Sequence, residues 1–293
     1  MTSFAPHGDV KIAYETVGEP AGEPLLLVMG TLGQRIGWPD GFCAALHERG
    51  FHVVRYDNRD VGESTHLPAP PDRRPRPLRM ARPRATYTLE DMAGDALAVL
   101  DDLGWDSAHL VGISAGGTIA QLLAARHGDR VRSLTSISST PWVRIGKMRA
   151  GTLAKLARAG RTLDRPEDPD AIAAMMLTVR NEVTGSPAYA ADPEALREMV
   201  RVSAARDPHF LTAGRGFTAA LSGGPDLRPE LALVTVPTLV IHGDADVVIR
   251  PEGGRATAAA IPGSTLVEYP GLGHELPREL WEPIADAIAG LRS

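Results

Sequence analysis

Gly112-Ile113-Ser114-Ala115-Gly116 reads G-x-S-x-G. Glycines two residues either side of a serine let a strand turn sharply into a helix, with the hydroxyl projecting above the sheet. The plain alternative is a glycine-rich turn with an incidental serine. The apolar run before the motif and Gly117-Thr118-Ile119-Ala120-Gln121-Leu122 after it favour a nucleophile, Ser114. Such a serine needs a base, and the base an acid that orients it. Of nine histidines, His274 lies in the glycine-rich stretch Gly271-Leu272-Gly273-His274-Glu275 after the last apolar run. His52 and His109 begin strands, at the far end of the sheet. His127 follows a helix end, where histidines cap carbonyls. His242 ends a strand, where a turn histidine serves structure. For the acid, His242-Gly243-Asp244-Ala245-Asp246 offers two aspartates. Asp244 is expected to close the turn on its own backbone, leaving Asp246 to meet His274. An oxyanion hole needs two N–H donors. Ala115, opening a helix, supplies one. Thr31, in Gly30-Thr31-Leu32-Gly33, supplies the other, unless that stretch is an ordinary turn.

These residues need a scaffold. Leu25–Met29, His52–Tyr56, Ala108–Ile113, Arg132–Ile137, Pro237–Ile241 and Thr265–Tyr269 are short apolar runs, as in strands covered on both faces. Between them, Thr88–Leu103 opens near a capping box, with Met92, Ala96, Val99, Leu100 and Leu103 at helical spacing. Ala115–His127, Arg255–Ile261 and Leu280–Leu291 also read as helices. Alternation of this kind predicts a doubly wound α/β fold with a mostly parallel sheet. Two segments break it. Residues 66–84 form a Pro- and Arg-rich loop, a solvated insertion rather than an anion site. Residues 141–231 read as helices interrupted by Pro166, Pro169, Pro187, Pro193 and Pro208, an inserted cap. The core is then 1–140 and 232–293.

Composition sets outer limits. The chain has 293 residues, 43% hydrophobic, with a net charge of −5, which suits a packed globule and no basic nucleic-acid face. A lone cysteine, Cys43, excludes an internal disulfide and any multi-cysteine metal site. No 18-residue apolar run spans a membrane, and the N-terminus lacks signal-peptide features. A cytoplasmic monomer or homodimer without metal or cofactor is expected. Lysine occurs at 11, 147 and 155 alone, a codon-bias effect.

With these elements in order, the chain resembles an α/β-hydrolase from end to end, including the order Ser…Asp…His. Met29-Gly30-Thr31 stands where the family has His-Gly-x, and Asp57-Asn58-Arg59-Asp60-Val61-Gly62-Glu63-Ser64 where it has Asp-x-Arg-Gly-x-Gly-x-Ser. Val28-Met29-Gly30, Gly37-Trp38-Pro39-Asp40 and the stretch Arg55–Thr65 are similar to the aclacinomycin methylesterase group, which hydrolyses a methyl ester on an aromatic polyketide. So are Thr235–Ile241 and Pro270–Pro277. The cap does not obviously match. Ala115 replaces a larger side chain common beside the nucleophile. Serine at 114 speaks against the aspartate-nucleophile relatives.

The resemblance implies a serine hydrolase for a carboxylic ester. Lactone, thioester or C–C bond hydrolysis and cofactor-free perhydrolysis would use the same three residues. A non-catalytic binding protein of this fold would often lack one of them. Gly30, Trp38, Trp142, Met175 and Met176 are the candidate pocket residues. Ile172, Met175, Met176 and Val179 share a helix face, which packs within the cap or lines the pocket for a bulky ligand. A medium-to-large hydrophobic ester or lactone, such as a polyketide methyl ester, is the expected substrate.

Overall fold

The computed structural model describes residues 1–31, 33–68, 73, 86–161, 163, 168–207 and 215–292. Most of the Pro/Arg-rich stretch 66–84 lies outside them. Among these residues, eight strands form one sheet: β1 Ser3–His7, β2 Val10–Val17, β3 Glu23–Val28, β4 Phe51–Tyr56, β5 Ala108–Ile113, β6 Val131–Ile137, β7 Thr238–Gly243 and β8 Thr265–Tyr269. Their order is β1-β2-β4-β3-β5-β6-β7-β8. β4, β3, β5, β6, β7 and β8 are mutually parallel. β1 and β2 join antiparallel at one edge.

Strand alternation explains the two-layered core. Leu26, Val28, Val54 and Leu110 point to one side of the sheet, where they pack with helices α2 (Leu89–Asp102) and α3 (Ala115–Arg126). Leu25, Leu27, Val53 and Val111 point to the other, against α1 (Asp40–Glu48) and a C-terminal helix, Trp281–Ala289. Each fully buried Leu or Val contributes roughly 1.5–3 kcal/mol. α2 begins at a complete capping box: Thr88 Oγ1 accepts from Asp91 N–H, and the Asp91 carboxylate accepts from Thr88 N–H.

Between β6 and β7 come α4 (Ala150–Gly160), α5 (Pro169–Val179) and α6 (Pro193–Arg206), then α7 (Arg215–Gly223) and α8 (Arg228–Leu231). α5 runs on into a π turn, Arg180–Thr184. Pro169 and Pro193 open α5 and α6, behind Asp168 and Asp192 as N-caps, positions where a missing N–H costs nothing. Ile172, Ala173 and Val200 form a small cluster of their own. Phe217, Ala220, Leu227 and Leu231 instead join the body cluster around Leu26 and Leu89. α7 and α8 thus pack with the body rather than with the α5–α6 cluster. The last two helices are α9 (Glu252–Ala260) and α10 (Trp281–Ala289).

Candidate active site

In a parallel sheet every strand ends at the same edge, and the crevice above that edge is where ligands bind. β3 leads into Gly30-Thr31, β5 into Ser114, β7 into Asp246 and β8 into His274. Ser114 sits between β5 and α3 at φ 56°, ψ −127°. A non-glycine residue there carries strain of order 1–3 kcal/mol. The surrounding structure holds it. Ser114 N–H donates to Ile137 O at 2.8 Å, and a Cβ at Gly116 would lie 2.1 Å from Val28 O. Strand and helix touch where the motif puts glycine.

His274 Nε2 lies 3.0 Å from Ser114 Oγ, and its Nδ1 2.7 Å from Asp246 Oδ2. Asp246 Oδ1 accepts from Val248 N–H (2.8 Å) and Ile249 N–H (3.0 Å). Burial alone would raise this carboxyl's pKa. The neighbouring His274 and His242 outweigh it and hold the group at about 2. An ionised Asp246 accepts the Nδ1–H of His274, which leaves Nε2 free to accept from the serine hydroxyl. The serine can then be deprotonated as it attacks.

A second histidine completes this carboxylate's surroundings. Buried His242 donates through Nε2 to Ile249 O at 2.8 Å and faces Asp246 Oδ2 at 3.5 Å. Sequence reasoning weighed it only as a rival base. Asp244 also differs from expectation. Its Oδ1 accepts from Gly271 N–H at 2.7 Å, so it ties the acid loop to the histidine loop rather than to its own backbone.

The loop after β3 lies against the serine. A Cβ at Gly30 would be 2.9 Å from Ser114 Cβ and 3.4 Å from Oγ, so glycine is needed. Asn58 Nδ2 donates to Met29 O at 2.9 Å and holds the loop. Ala115, the residue after the serine, opens α3, and a helix N-terminus favours negative charge. Asp60, standing where the resemblance expects glycine, adopts φ 66°. Aspartate tolerates that region better than most residues, and Asp60 Oδ1 accepts from Leu67 N–H at 2.6 Å.

The other candidate pocket residues scatter. Trp38 is sealed in the core, 0% exposed and stacked on Phe42 at 5.7 Å. Proximity in sequence to the Gly30 loop suggested a pocket wall, but packing beneath the sheet claims the ring. Trp142 is half-buried with Arg144 over its face at 4.9 Å. Met176 packs on the Ile172–Val200 cluster, and Met175 is half-buried on the same helix. Among the described residues, no group of three or more His, Cys, Asp or Glu side chains is placed to hold a metal ion. No helix there is long and apolar enough to cross a membrane.

The chain is similar to proteins already known. The chain is 30% identical to a rhodomycin D methylesterase of Streptomyces peucetius, over 98% of this chain and 96% of that one. It is also 30% identical to a rhodomycin D methylesterase of Streptomyces sp. strain C5, over 96% and 94%. An esterase from Exiguobacterium antarcticum superposes with a TM-score of 0.74 at 23% identity, covering 100% of both chains. The likeness to that structure is one of fold. The profile of the alpha/beta hydrolase fold matches residues 23–277. Sheet order, the strained serine and this match over most of the sequence lead to one assignment: the chain belongs to the alpha/beta hydrolase family.

Proposed function

We propose that the protein is a serine esterase that cleaves a carboxylic ester of a medium-to-large hydrophobic small molecule through an acyl-enzyme. The observation that carries the reading is the hydrogen-bonded chain Asp246–His274–Ser114 beneath the Gly30-Thr31 loop. Ser114 Oγ attacks the ester carbonyl while His274 Nε2 takes its proton. The tetrahedral oxyanion is held by the N–H groups of Thr31 and Ala115. Collapse expels the alcohol, protonated by His274. Water, deprotonated by His274, then attacks the acyl-enzyme and regenerates the serine. Asp246 keeps the imidazole in the needed tautomer and stabilises its cation. That two relatives are named rhodomycin D methylesterases supports a methyl ester, such as a polyketide methyl ester, within the proposed substrate class.

The test pairs a fluorophosphonate probe with an ester series. Wild-type protein should be labelled at Ser114, and Ser114→Ala should not. That variant should lose several orders of magnitude in kcat while remaining folded, keeping roughly 10³–10⁴ over water from binding and the oxyanion donors. Retention of a tenth of the wild-type rate would remove Ser114 from the mechanism. Across p-nitrophenyl esters, kcat/KM should climb with acyl length, up to about fourfold per buried methylene. A steady fall from acetate, with aromatic methyl esters untouched, would defeat the substrate class and leave the nucleophile standing.

A further inference from the structure

Among the described residues, the α5–α6 part of the cap is hydrogen-bonded to the body at two places, and both bear on the site. At one end the π turn of α5 meets the histidine loop. Arg180 donates to both oxygens of Glu275, Nε to Oε2 at 3.1 Å and Nη2 to Oε1 at 3.0 Å, and also to Tyr189 O. Glu275 Oε1 further accepts from Ser186 N–H at 2.9 Å. Ser186 Oγ accepts from Gly273 N–H at 2.8 Å, and His274 N–H donates to Thr184 O at 3.2 Å. The fit is close: a Cβ at Gly273 would lie 2.6 Å from the carbonyl oxygens of Thr184 and Gly185.

At the other end the last turn of α6 meets the loop that follows Thr31. Gln34 Nε2 donates to Ser203 O at 2.8 Å, and Arg206 Nη1 donates to Gln34 Oε1 at 2.6 Å. Arg206 Nη2 also reaches Asp57 Oδ2 and Glu63 Oε2, each at 2.7 Å. The same Asp57 accepts from Arg35 N–H at 2.6 Å. Gly62 N–H donates to Asp207 Oδ2 at 3.2 Å. Gln34 is almost wholly buried and Asp57 wholly so. Between the two ends, α5 and α6 are packed on each other through Ile172, Ala173 and Val200.

We propose that the α5–α6 pair is a strap that fixes the spacing between the base loop and the oxyanion loop. Arg180, Glu275, Gln34 and Arg206 are its positioning residues. A cover that merely shields the crevice could rest on any part of the body rim. This one is bonded to Gly273, His274 and Glu275 on one side and to Gln34 and Asp57 on the other. Misplacing a reacting group by about 1 Å costs on the order of 10²-fold in rate, so small movements of either loop are felt at Ser114. The inference rests on the esterase reading.

Small reagents that need no cap contact separate the strap from a pocket wall. The readouts are p-nitrophenyl acetate hydrolysis and the rate of labelling by an ethyl fluorophosphonate. Arg206→Met and Glu275→Ala should each lower kcat and the labelling rate about tenfold, with KM within about twofold and full labelling at the end point. Glu275→Gln, which still accepts from Ser186, should recover most of the loss. Arg197→Met, on the exposed face of the same helix with Glu194 as partner, should change nothing. Releasing one end already frees the strap, so the double variant Arg206→Met/Glu275→Ala should be barely slower than either single one. Should Arg206→Met fail to fold, Gln34→Ala tests the same end without stranding a charge. The strap is overturned if small-reagent rates hold while large esters slow, or if the two losses multiply. A wild-type protein that the phosphonate does not label overturns the esterase reading, and the strap with it. Normal wild-type labelling with unchanged variants overturns the strap alone.

Discussion

Body and cap are held together by different forces. The body is two apolar layers on a sheet, with Leu25 through Val28 fully buried and alternating between them. The cap helices α5 and α6 have three fully buried apolar residues between them and meet the body through arginine–carboxylate pairs. Apolar burial is non-directional and tolerates adjustment. Bidentate charge pairs fix orientation. A scaffold needs the first property, and a part that must land in one position needs the second.

If the chemistry belongs to the body, its largest losses come from residues on the sheet edge. Asp246→Asn should lower kcat by about 10³–10⁴-fold, because His274 then loses its tautomer control. Asp244→Asn, two residues away but bonded to Gly271 N–H, should lose far less. The reverse ranking in two folded variants would reassign the acid.

Stability measures the contrast in cohesion. Leu26→Ala should cost about 2–5 kcal/mol in urea unfolding. Ile172→Ala, in the small cap cluster, should cost less than half of that in the global transition. Equal costs would mean that the cap is part of the cooperative core.

Acid probes a charge buried in the body. Asp246 titrates at about 2 when folded, below the ordinary 3.8. Its contribution, about 2 kcal/mol, is complete above pH 4 and is lost as the pH falls toward 2. The stability gap between wild type and Asp246→Asn should therefore narrow over that interval. A gap that widens would mean the folded carboxyl titrates above its unfolded value.

The smallest effect expected is none. Burial pushes the Cys43 thiol up to about 12, and the residue lies inside the body, so thiol reagents should leave native protein and its activity unchanged. Ile172→Ala should not speed alkylation, because loosening the cap does not open the body. Faster labelling in that variant would erase the distinction.

Much of the sheet was legible because strands covered on both faces leave continuous apolar runs. β1 and β2 were not, since neither carries a continuous apolar run: β1 contains Pro6, and Lys11, Glu15 and Thr16 interrupt β2. Their turn, Gly8-Asp9 with Gly8 at φ 59°, was the available signal. The serine motif and the loops carrying Asp246 and His274 could be read because local chain geometry dictates their residues. Trp38 could not: an aromatic next to a functional loop looks the same in sequence whether it lines a cavity or fills the core. Arg206 and Gln34 stand 172 positions apart. A charge at that distance from its partner is indistinguishable from a solvated one until the chain is folded.

The two landing points also decide what can be inherited as a unit. A cap taken from a relative and grafted at the strand ends would arrive without Gln34, Asp57 and Glu275 selected to receive it. Asp57, wholly buried, would keep Arg35 and lose Arg206, and Glu275 would face a stranger in place of Arg180. Breaking one partner of a buried pair is costlier than replacing both. The transferable module is therefore discontinuous, a helical segment together with receiving residues near both ends of the chain. Recombination that respects domain borders alone would strand these charges even when both parents share the fold, whereas changes on the outward faces of α5 and α6 leave both landing points intact.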